Sequence, residues 1–72
     1  MHAYQKRQTY LRQEVIALGF TSEQFLAMAN RAYAWPDVHN WLDACLAVRN
    51  TCLAYGSLNA LRNSNCDLAK AL

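Results

Sequence analysis

Glycine occurs twice and proline once in this 72-residue chain. So few breakers leave no glycine-rich loop to cradle a phosphate and no proline-rich linker. No apolar run approaches the ~18 uninterrupted residues of a membrane span, and the first residues lack the apolar core of a signal peptide. Charge is also scarce. Seven basic and five acidic residues give a formal net charge of +2, too small to announce a nucleic-acid partner.

The cysteine count is odd: Cys45, Cys52 and Cys66. Cys45 and Cys52 fall on one expected helix, separated by roughly 10 Å along its axis. That exceeds the ~7 Å over which Cα atoms can be bridged, so a disulfide framework is not expected. A reducing cytoplasm is the simpler expectation.

What remains is rich in helix formers. The hydrophobic fraction is 54 %, which argues against disorder, and alanine and leucine dominate. The expected fold is all-α: one domain over residues 1–72, a small helical hairpin or three-helix assembly with a short C-terminal helix. A single core of this size rarely nets more than ~3–5 kcal/mol, so completion by dimerisation is expected.

The first expected helix covers residues 3–18. Tyr4, Leu11, Val15 and Leu18 share one face by their spacing. Gly19 suits the left-handed residue that ends a helix, and Phe20 the hydrophobic contact that closes it. Thr21-Ser22-Glu23-Gln24 reads as a capping box that opens a second helix over 22–34. Phe25, Leu26, Ala29, Ala32 and Tyr33 form its expected inner face, with Met28 at the edge.

Pro36 disfavours a helical Trp35 and suits the first position of a new helix, so a third helix is expected over 36–55. Its apolar residues, from Val38 and Trp41 through Leu53 and Tyr55, span about half the circumference at ~100° per residue. A stripe that wide usually meets two neighbours, and it looks too broad for the short helices available to cover it. Gly56 breaks the phase. A short helix over 58–63 and a last turn over 66–71 complete the expectation.

The chemistry-bearing residues are few. His39 and Asp43 stand four apart but have no Cys-x-x-Cys or His-x-x-x-His to join, so no metal site is expected. The cysteines of the third helix face the core, where a thiol behaves as a small hydrophobe, so no nucleophile is expected. No catalytic residue, no cofactor and no enzymatic activity follow.

The strongest signal is for protein contact. Arg31, Tyr33, Trp35 and Trp41 bracket the only proline, and tryptophan, tyrosine and arginine dominate interface hot spots. Arg49 falls inside the apolar arc. It either snorkels to water or meets a carboxylate or helix end of another chain. Lys6, Arg7 and Arg12, with Tyr4 and Tyr10, make the first helix basic and aromatic, a possible patch for an acidic or nucleic-acid partner.

Leu26-Ala27-Met28-Ala29 followed by Val38-His39-Asn40-Trp41-Leu42 loosely resembles a helix-turn-helix. The resemblance implies a small DNA-binding regulator as the alternative function. The acidic Asp37 and Asp43, and the lack of lysine or arginine between Arg31 and Arg49, speak against it. In general style, short, all-helical and motif-free, the chain resembles the accessory proteins that phages and other mobile elements encode against host factors. The leading expectation is a non-enzymatic, cytoplasmic protein-binding module, homodimeric and not membrane-bound, that inhibits a larger protein.

Overall fold

The computed structural model describes residues 3–72 as four α-helices and a closing 3-10 helix, with no strand among them. Helix α1 spans Ala3–Ile16, α2 Ser22–Ala32, α3 Trp41–Tyr55 and α4 Leu58–Arg62, and the 3-10 helix covers Asp67–Ala71. The all-α expectation holds. No described helix is long and apolar enough to cross a membrane.

Local chemistry sets most boundaries. Past Ile16 the α1 ladder tightens, with Leu18 N–H bonding the Val15 carbonyl and Gly19 N–H the Ile16 carbonyl, both at 3.0 Å. This stops α1 two residues short of the expected Leu18. Gly19 then takes φ = 102°, a left-handed value costly to a residue with a Cβ, and Phe20 turns into the core at 3 % exposure. The capping box forms as expected: Gln24 N–H donates to Thr21 Oγ1 at 3.0 Å, and Thr21 N–H to Gln24 Oε1 at 2.9 Å.

The end of α2 and the start of α3 differ from expectation. Tyr33 still bonds Ala29, but Ala34 and Trp35 donate to Arg31 and Ala32, three residues back. Trp35-Pro36-Asp37-Val38 is then a turn, closed by Val38 N–H on the Trp35 carbonyl at 3.1 Å, with the proline in its favoured second position. Helix α3 starts at Trp41 rather than Pro36 because Asn40 is extended (φ −155°, ψ 175°) and caps it. Asp43 N–H donates to Asn40 Oδ1 at 2.9 Å, and Asp43 Oδ2 accepts from His39 N–H at 3.2 Å. Ser57 caps α4 in the same manner, through Ala60 N–H.

The core gathers Leu11, Val15, Phe20, Phe25, Met28, Ala29, Ala32, Ala44, Cys45, Val48, Cys52, Leu61 and Leu68, with no buried polar or charged residue among them. Helix α3 packs against both α1 and α2, so its broad stripe finds two neighbours within its own chain. The expectation that its companions could not cover it is met only at the far end, where Leu53 is 49 % and Tyr55 40 % exposed. On α2 the buried stripe is Phe25, Met28, Ala29 and Ala32. Met28 moves inside, while Leu26 and Tyr33 turn to solvent. On α1 only Leu11 and Val15 are buried, and Tyr4 is exposed because no residue from 3 to 10 reaches the core.

The position of the α3 start is testable. Asn40→Ala removes the cap and should lower unfolding free energy by about 1 kcal/mol in urea denaturation. Were the helix continuous from Pro36, alanine at this position would be neutral or slightly stabilising. Phe25→Ala, at a fully buried site, should cost about 3–5 kcal/mol and leave little folded protein.

Candidate protein-binding surfaces

Two of the residues expected to make the proline corner an interface are tied down within the chain. Arg31 Nη2 donates to Asp67 Oδ1 at 3.0 Å, and the Trp35 indole N–H donates to Asp67 Oδ2 at 2.8 Å. One carboxylate of the 3-10 helix thus holds the last turn of α2 and the residue before the proline. These two bonds, with the neighbouring charges of Arg31 and Lys70, hold the Asp67 carboxyl below the usual carboxylate range. Asp67 was invisible to sequence reasoning, since nothing local pairs it with a residue so distant in the chain.

Tyr33 and Trp41 meet across the same corner, edge to face, with ring centroids 5.9 Å apart and planes at 69°. Such pairs contribute about 0.5–1.5 kcal/mol beyond burial. Trp41 is half-buried, while Tyr33 remains 54 % exposed. The corner therefore presents one open aromatic face on a support fixed by a proline turn, an ion pair and an indole hydrogen bond.

Arg49 faces a carboxylate of its own chain. Its Nη1 lies 3.4 Å from Oε2 of Glu14 on α1, and both side chains are largely covered. The pair is close but poorly aligned: Glu14 Oε2 and Arg49 Nε are buried without a hydrogen-bond partner. Lys6 and Arg7 lie nearby, lining with Arg49 an open groove between α1 and α3. Arg12 does not line it; its charge acts instead towards Cys45. The structure thus separates the expected basic patch into a groove pair and a residue apart. Tyr10 of that expected patch lines the groove as well, and so does Glu14, which sequence reasoning did not single out. The polar intrusion of Arg49 into an apolar arc was the signal that an acid should face it.

The thiols are placed for packing. Burial pushes Cys45 up to about 11 against the opposing pull of Arg12, and pushes Cys52 up to about 12, with Cys66 adding to the rise. At neutral pH neither supplies the thiolate a nucleophile or metal ligand needs. Among the described residues no three His, Cys, Asp or Glu side chains converge as metal ligands, and Asp43 is occupied in capping.

Two outcomes follow. Cys45 and Cys52 should resist iodoacetamide in the native protein and label on unfolding, as read by intact mass. Asp67 binds its proton less readily folded than unfolded, so its contribution to stability is complete above the ordinary carboxylate range. It disappears as pH falls through the depressed folded value. Asp67→Asn should therefore lower the urea midpoint at neutral pH, with the gap to the unmodified protein closing in acid. No family model, curated protein or solved structure matches this chain, so its function is read from its own surfaces.

Proposed function

We propose that this protein is a non-enzymatic binding module that inhibits a larger protein target through its proline corner. The observation that carries the reading is Tyr33, an aromatic side chain left 54 % exposed on a corner that Pro36 and the Arg31–Asp67–Trp35 bonds immobilise. An exposed ring on a rigid support loses little freedom when it binds, which is the character of an interface anchor. Arg31 and Trp35 serve this reading as supports, Tyr33 and Trp41 as the contact face. The resemblance in style to phage and mobile-element accessory proteins suggests a host factor as target. Three free cysteines fit a reducing cytoplasm.

Self-association belongs to the same reading. Leu53 and Tyr55 leave an apolar end on α3, and a twofold contact between two such ends would cover it. The DNA-binding alternative has less behind it. Residues 33–40 separate α2 from α3, where a helix-turn-helix uses a turn of about three or four. Helix α3 also carries Asp43 in its first turn, and its one cation, Arg49, faces Glu14.

Affinity purification of the tagged protein from its native cells, with mass spectrometry, should recover one protein stoichiometrically. Rebuilt from pure components, that complex should weaken by about 2 kcal/mol on Tyr33→Ala, roughly thirtyfold in Kd, with the helical circular dichroism unchanged. Retention of nucleic acid alone, lost steeply with salt, would transfer the function to the DNA-binding alternative. Sedimentation should give a dimer that Leu53→Asp dissociates, and a monomer would confine the reading to partner binding.

A further inference from the structure

We propose that the groove between α1 and α3 receives an acidic segment of a partner protein. The proposal rests on the binding-module reading but concerns a surface distinct from the proline corner. The groove is open, about 700 Å³, within the range of sites that take side chains or small ligands. Leu11 forms an apolar base, Tyr10 an aromatic wall, and Lys6, Arg7 and Arg49 supply cations.

Charge complementarity selects the occupant. Three cations line the groove against one carboxylate, Glu14, which already faces Arg49. Among the described residues no ion pair engages Lys6 or Arg7. Arg49 carries five N–H donors in a planar fork; Nη1 faces Glu14, while Nε is buried and out of an occupant's reach, so Arg49 adds charge and Lys6 and Arg7 offer the accessible donors. A second copy of the chain fits badly. Of its five acidic residues, Glu14 faces Arg49, Asp43 Oδ2 accepts from His39 N–H, and Asp67 holds Arg31 and Trp35, leaving Glu23 and Asp37 on separate elements. A nucleic-acid backbone also fits less well, because Glu14 stands within the groove and the chain offers no longer basic track. An acidic protein segment with an apolar anchor meets the base, the wall and the rim together.

The shape of α1 supports the same occupant. From residue 3 to residue 10 no side chain is buried, and Tyr10 is 67 % exposed. Helices this short are marginal without packing, and a segment lying in the groove would supply it.

The test uses the full chain and fluorescence anisotropy. The probe is a labelled amphipathic peptide of glutamate and leucine at helical spacing. Its lysine counterpart and a mixed-sequence DNA duplex serve as controls. The glutamate peptide should bind, more weakly as salt rises, and Lys6→Glu with Arg7→Glu should reduce affinity by about tenfold or more. Both residues are exposed, so circular dichroism should not change. Tyr33→Ala should leave this binding intact. Failure of the glutamate peptide to bind, equal binding of the lysine peptide, or indifference to the double reversal would overturn the proposal. Preference for the duplex would overturn it in favour of a nucleic-acid groove. Loss on Tyr33→Ala alone would place the peptide at the corner, removing the groove while the binding-module reading stands.

Discussion

Helix α3 buries only small side chains, Ala44, Cys45, Val48 and Cys52, and this size restriction sets the rest of the architecture. Small residues on the middle rod let α1 and α2 approach it from two sides. The volume is then filled from outside by Phe25 and Met28 of α2, Leu11 and Val15 of α1, and Phe20 between them. Close packing of this kind tolerates little change in volume, because interiors hold few voids. The raised thiol pKa values have the same origin: Cys45 and Cys52 are spacers in a dry interface.

With its interior satisfied by small against large, the chain keeps its larger amphipathic side chains for the periphery. There they fall into two groups with different supports. At the proline corner, Asp67 collects a guanidinium and an indole N–H and so couples the C-terminal 3-10 helix to the end of α2. At the α1–α3 groove, the Arg49–Glu14 pair sits over Leu11 with its geometry incomplete. The first surface is aromatic and braced, the second cationic and open. The two regions therefore differ in both chemistry and support.

Features governed by neighbouring residues were legible in the sequence. The Thr21–Gln24 box, the left-handed Gly19 and the inward Phe20 each depend on groups a few residues apart. The start of α3 was misread because two local signals competed. Pro36 followed by Asp37 resembles a helix opening, but Asn40 with Asp43 three residues later satisfies more orphan backbone donors, and the proline serves a turn instead. The exposure of Leu26 and Tyr33 was hidden for another reason: periodicity places a residue on a face but not on the side a neighbour will cover. The Asp67 bonds and the Arg49–Glu14 pair lie between distant segments, so only the fold reveals them. Arg49 alone left a trace, as a charge out of place.

The unsupported opening of α1 means that this rod is not one thermodynamic unit. Beyond Tyr10 its turns are joined to the core through the buried Leu11 and Val15, so opening them exposes core surface. From residue 3 to residue 10 no side chain is buried, so opening these turns costs less than global unfolding. Any occupant of the adjoining groove would draw these turns into the cooperative block. Its arrival would then register as slowed amide exchange at positions that it need not touch.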